Sequence, residues 1–173
     1  MKKWIVSVFS AGLAAAAVLA AEAPLKVGDL APAVVGKDHQ GKEWKLADHL
    51  KQGPVLLYFY PKDNTPGCTR QACGLRDRMP DLQKAGVTVV GVSFDSAESH
   101  QKFMADHQLN FTLLTDPEGK IADAFGARIP GQKMARRVSF LISRDGVIRH
   151  ITDTPKAETH LEEMTAAVQA LKK

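Results

Sequence analysis

Val55-Leu56-Leu57-Tyr58-Phe59-Tyr60-Pro61-Lys62-Asp63-Asn64-Thr65-Pro66-Gly67-Cys68-Thr69-Arg70-Gln71-Ala72-Cys73 is the stretch on which the reading of this 173-residue chain turns. Its first six residues are an unbroken apolar and aromatic run, which suits a strand buried on both faces. Pro61 to Asn64 then reads as a tight turn. Thr65 suits the N-cap of a following helix and Pro66 its first position. That numbering puts Cys68 at the third helical residue, among amides with no partner inside the helix and at the positive end of its dipole. A thiol there is expected to be partly ionised, and the thiolate is the reactive form. Redox chemistry is the first functional expectation.

Upstream, Leu25 to Ala47 predicts irregular or short paired strands around an Asp38-His39-Gln40-Gly41 turn, and Ala47 to Gln52 a helical turn. Downstream, Asp77 to Ala85 continues the helix of Cys68, with Pro80 as a candidate break. Val87 to Phe94 is a second β-branched, apolar strand. Ser96 caps a helix to about Gln108, with Phe103, Met104 and His107 near helical spacing. Thr112 to Thr115 is a short strand, Asp116 to Gly119 a turn and Ile121 to Phe125 helical. Val138 to Ile142 and Val147 to Ile151 flank the hairpin signal Ser143-Arg144-Asp145-Gly146. Ala157 to Leu171 is amphipathic, with Leu161, Met164, Val168 and Leu171 on one face. Parallel strands come first and an antiparallel pair is added at the end. The expectation is an α/β, thioredoxin-like fold: a central mixed sheet flanked by helices, with an N-terminal extension.

Lys2 and Lys3 precede an apolar, Ala-rich run from Trp4 to Leu19, and Val18-x-Ala20 fits the small-residue cleavage rule. Residues 1–21 are read as a signal peptide and 22–173 as one domain, exported and periplasmic. An uncleaved anchor is the alternative, but no basic stop-transfer segment follows. Without Lys2 and Lys3 the formal charge falls from +4 to about +2. With no basic run longer than Arg136-Arg137, no nucleic-acid partner is expected.

Two cysteines in an exported chain suggest first a structural disulfide. Helix geometry opposes it. Residues five apart on an α-helix are separated by about 7.5 Å of rise and 140° of rotation, which puts their Cα atoms roughly 8–9 Å apart. A disulfide needs about 7 Å or less. Cys68 and Cys73 therefore bond only if their helix opens locally, and so short a loop gives only roughly 2 kcal/mol of stability. A bond that forms and breaks fits better. Two thiols with scattered histidines (His39, His49, His100, His107, His150 and His160) complete no zinc site, and each histidine is expected at or near the surface. The Cys-x-x-Cys of a disulfide oxidoreductase is missing.

Pro61-x-x-x-Thr65-x-x-Cys68 matches the active-site motif of peroxiredoxins. Phe59 through Cys73, then Arg76-Asp77, resembles the peroxiredoxin Q subfamily, also called bacterioferritin comigratory protein. Thr115-Asp116-Pro117-Glu118-Gly119-Lys120 and Arg137-Val138-Ser139-Phe140-Leu141-Ile142 resemble it as well. The likeness spans roughly Leu25 to Leu171. It implies thiol-dependent reduction of hydrogen peroxide and organic hydroperoxides, with Cys68 peroxidatic and Cys73 resolving through a Cys68–Cys73 disulfide. It implies a thioredoxin-like reductant, no metal and no cofactor. A monomer is expected, with no stable membrane association once the leader is cut. Three positions depart from the family pattern. Gln71 stands where Glu is common, Leu75 where Phe is common, and Ser143 where Asp is common. The first removes a carboxylate that could tune a nearby arginine.

Thr65 has two readings, a helix cap or a hydroxyl that bonds the peroxide oxygen. Pro61 is a strand terminator or a shield of the sulfur from water. Arg137 follows from topology as well as resemblance. If Val138–Ile142 runs antiparallel beside Val55–Tyr60, its first residues lie beside Cys68. Successive residues of a strand face opposite ways, so only one of Arg136 and Arg137 can serve, and the resemblance selects Arg137. Two other function classes compete: a copper carrier using both sulfurs and a histidine, and a binding domain with a static disulfide.

Overall fold

Strand β3 (Val55–Phe59) is buried at all five positions because it lies inside the sheet. On one side it pairs in parallel with β4 (Thr88–Ser93), and on the other antiparallel with β6 (Val138–Ile142). The computed structural model describes residues 24–171, so the leader read at 1–21 lies outside the described residues. The two-residue period of the strand divides its side chains between two cores. Val55, Leu57 and Phe59 enter one cluster with Trp44, Ile121, Phe125 and Phe140. Leu56, Tyr58 and Tyr60 enter the other with Cys68, Leu75, Phe103, Leu161 and Met164.

The remaining elements follow from these two faces. β1 (Val35–Asp38) and β2 (Glu43–Lys45) form the predicted N-terminal hairpin. Asp38 Oδ1 stabilises its turn by accepting the amides of Gln40 at 2.8 Å and Lys42 at 2.9 Å. α1 (Leu46–Leu50) and α4 (Lys120–Ala124) contribute to the first cluster through Leu46, Ile121 and Ala122. α2 (Pro66–Lys84), α3 (Ala97–His107) and α5 (Ala157–Ala170) contribute to the second. With β5 (Thr112–Thr115) and β7 (Ile148–Asp153), the seven strands run β2-β1-β5-β4-β3-β6-β7. The mixed sheet and thioredoxin-like layering agree with the sequence reading.

Two details differ from it. α2 runs unbroken through Pro80. The ring of Pro80 lies on the exposed side while Met79 and Leu82 are buried against the sheet, and their packing holds the helix together across the missing amide. Gly74 lets α5 approach α2 closely, since a Cβ there would run into Leu161 Cδ1. The second difference concerns histidines. His100 and His160 are fully buried, not superficial. His100 extends the helical series of Phe103, Met104 and His107 by one turn, a signal present in the sequence.

Candidate active site

Thr65 occupies the N-cap position of α2 with extended backbone, but its side chain makes no capping hydrogen bond. Its hydroxyl turns back into the preceding turn and donates to the Lys62 carbonyl at 3.0 Å. Asn64, at φ +57°, makes that turn tight. The cap reading of Thr65 is thus corrected: it marks the helix start through its backbone alone. The first bond of the new ladder runs from the Thr69 amide to the Thr65 carbonyl at 2.8 Å. The amides of Gly67 and Cys68 precede it, at the positive end of a 19-residue helix.

Cys68 is buried at that third helical position. The register Phe59↔Val138 brings the residue before β6 to the end of β3, as the topological argument requires. Arg137, only 8% exposed, points toward α2. Its Nη2 donates to Cys68 Sγ at 3.4 Å and its Nε to the Pro155 carbonyl at 3.1 Å. Nη1 donates to Gln71 Oε1. None of these three partners is a carboxylate, so no anionic side chain among them competes with the sulfur for the guanidinium. Arg136 faces the other way, pairing with Asp153 and donating to the Gly126 carbonyl. The expected division between the two arginines holds.

A second layer fixes Arg137 and was not legible in the sequence. Ser139, two residues along the same strand face, lies 2.6 Å from Nε2 of buried His160. Nδ1 of His160 lies 3.3 Å from the Thr154 carbonyl. Burial pushes His160 down to about 4, which keeps the ring neutral. Nδ1–H then donates to Thr154 and Nε2 accepts from Ser139. The segment so held carries the Pro155 carbonyl that receives Arg137.

Pro61 ends β3 and is half-buried in the turn before Thr65. Cys73 lies farther along α2, partly buried, and both cysteines are free thiols. Among the described residues no group of three or more His, Cys, Asp or Glu side chains could hold a metal ion.

Comparison with known proteins adds an independent line. Residues 27–151 match the AhpC/TSA family. Peroxiredoxin Bcp of Escherichia coli (strain K12) is 46% identical over 145 residues, covering 79% of this chain and 91% of the relative. The chloroplastic peroxiredoxin Q of Suaeda salsa is 38% identical, covering 86% of this chain and 70% of its own. Among solved structures, peroxidoxin BcpB of Mycobacterium tuberculosis superposes with a TM-score of 0.81 at 29% identity, covering 86% of this chain and 99% of that one. A Xanthomonas campestris bacterioferritin comigratory protein, described for its alkyl peroxide reduction activity, gives a TM-score of 0.74 at 29% identity, covering 81% and 92%. A buried cysteine under an arginine at a helix start, on this sheet and with these relatives, has one reading: the chain belongs to the AhpC/TSA family, among the peroxiredoxins of the Q/Bcp type.

Proposed function

We propose that this thiol peroxidase reduces hydrogen peroxide and organic hydroperoxides with Cys68 as the attacking sulfur and Cys73 as the resolving thiol. The observation that carries the assignment is the Arg137 Nη2 donor 3.4 Å from Cys68 Sγ. A guanidinium and the first amides of a helix both favour a thiolate at that point. The sulfur attacks the terminal oxygen of the hydroperoxide, the O–O bond breaks, and Cys68 becomes a sulfenic acid. The departing RO⁻ takes up a proton and leaves as alcohol or water. Its developing charge falls where Arg137 and the helix amides supply preorganised donors. Thr65 already donates its proton to Lys62, so its free lone pairs are available to accept the O–H of the hydroperoxide. Pro61, in the turn before Thr65, serves to shield the sulfur from water.

The Cys73 thiol then displaces hydroxide from the sulfenic acid, giving a Cys68–Cys73 disulfide and water. Both residues lie in α2, so the helix must open locally first. A thioredoxin-like dithiol restores the reduced pair, and the enzyme acts as a monomer. Residues 1–21 serve as a cleaved signal peptide, so that 22–173 work in the periplasm. The N-terminal mass of the exported protein tests the leader.

Stopped-flow consumption of hydrogen peroxide and of an organic hydroperoxide, in wild type and Cys68→Ser, tests the chemistry. Rapid loss of peroxide by wild type alone is expected. A wild type no faster than free cysteine overturns the proposal.

A further inference from the structure

α3 holds both ends of the segment that carries the two cysteines. At the near end, the Asp63 carboxylate, buried in the turn before Thr65, accepts the Tyr60 hydroxyl at 2.7 Å and the Ser99 hydroxyl at 2.7 Å. His100 Nδ1 lies 2.9 Å from the same Asp63 oxygen that Ser99 reaches. His100 Nε2 faces the Leu114 carbonyl at 3.2 Å. Oxygen atoms thus face both ring nitrogens, Asp63 on one side and the Leu114 carbonyl on the other, and hold the ring between the turn and β5. The Asp63 amide is itself tied to Asp95 Oδ2 at 3.0 Å. Burial pushes the Asp63 carboxyl up, yet hydrogen bonds from His100, Ser99 and Tyr60 together hold it below the usual range. Next to it, Asn64 Oδ1 lies 3.2 Å from His107 Nε2. At the far end, Arg76 Nη1 donates to the His107 carbonyl at 2.6 Å.

We propose that Ser99, His100 and His107 on α3 are positioning residues that clamp Asp63, Asn64 and Arg76 on either side of Cys68 and Cys73, and thereby set how readily the intervening helix unwinds for disulfide formation. This rests on the peroxidase reading above. Unwinding between two fixed ends gives the opened chain less freedom than unwinding with one end loose. The clamp therefore favours the closed helix, in which Cys68 sits under Arg137 and meets peroxide. Releasing a tether lowers the cost of opening. Because the closed form remains dominant after a modest release, attack changes little while the ring-closing step quickens.

The test follows the two chemical steps separately by rapid mixing with hydrogen peroxide, acid quench, thiol alkylation and mass spectrometry. Ser99→Ala removes one donor from Asp63 on a partly exposed side chain, and Arg76→Met removes the far tether. Phe125→Leu, in the opposite core cluster, serves as a control for general loss of stability. The unimolecular conversion of sulfenic acid to disulfide should rise by several-fold up to about tenfold in Ser99→Ala and Arg76→Met, the factor equivalent to one ordinary hydrogen bond. The control should stay at the wild-type rate. Unchanged or slower ring closure in both tether variants overturns the inference, and so does an equal rise in the control. A wild type that forms no Cys68–Cys73 disulfide overturns the peroxidase mechanism itself, an outcome visible before any variant is compared.

Discussion

Gly67 lies directly under the guanidinium of Arg137: a Cβ at that glycine would stand 3.1 Å from Nη2. That is closer than side chains normally approach, so the glycine is the gap through which Arg137 reaches the start of α2. Gly67→Ala should leave stability within about 1 kcal/mol, because alanine is the better helix residue. It should push the guanidinium away from Cys68 by a few tenths of an ångström and lower kcat/KM several-fold. Thermal unfolding and steady-state peroxide reduction, measured together, check both halves.

Arg137→Lys and Arg136→Lys should part company. Lysine at 137 cannot hold Cys68, Gln71 and Pro155 at once, since it lacks the planar fork that makes the three contacts. The second-order rate with peroxide should fall by about 100-fold, the typical cost of a lost preorganised donor. Arg136 makes a half-exposed pair with Asp153 on the other face, and lysine there should leave the rate within about twofold. Equal losses in the two variants would contradict the assignment of Arg137.

Thr65→Val separates support from chemistry. The hydroxyl caps no amide and bonds only the Lys62 carbonyl, so unfolding in denaturant should shift by less than about 1 kcal/mol. Peroxide turnover should nevertheless fall clearly, and Thr65→Ser should recover most of it. A fully active valine variant would leave Thr65 without a part in the reaction.

Gln71→Glu would set a buried carboxylate against Arg137. The guanidinium would then be neutralised locally, the fraction of Cys68 present as thiolate at neutral pH would drop, and attack on peroxide would slow by roughly an order of magnitude. Thiolate absorbance in the ultraviolet and the stopped-flow rate report the two effects.

His160 makes stability depend on mildly acidic pH. It stays neutral in the fold, with a value of about 4, against an ordinary value of 6.5. Between those values the unfolded chain binds a proton that the folded chain refuses. Its contribution is complete above about pH 6.5, is lost as the pH falls toward 4, and changes no further below that. The loss is on the order of 3 kcal/mol. Urea unfolding at several pH values should show a shallower slope for His160→Gln than for wild type across this window.

Much of this protein could be read from its chain alone. The run Val55 to Phe59, the strand residues of β4 and β6, and the amphipathic α5 announce themselves by local pattern, because burial on one or two faces imposes a period on the sequence. Cys68 at a helix start is a local fact of the same kind. Even the choice of Arg137 over Arg136 followed from strand alternation together with family resemblance. What required the fold were contacts between residues far apart in the chain. The rotation of Thr65 away from its own helix depends on the turn at Asn64. The neutral His160 depends on its burial in the interior, where Ser139 and Thr154 meet it. The clamp of Asp63 by His100 and Ser99 joins a turn to a helix more than thirty residues later. Such pairs leave no period in a single sequence, since each partner's environment exists only once the sheet has brought them together.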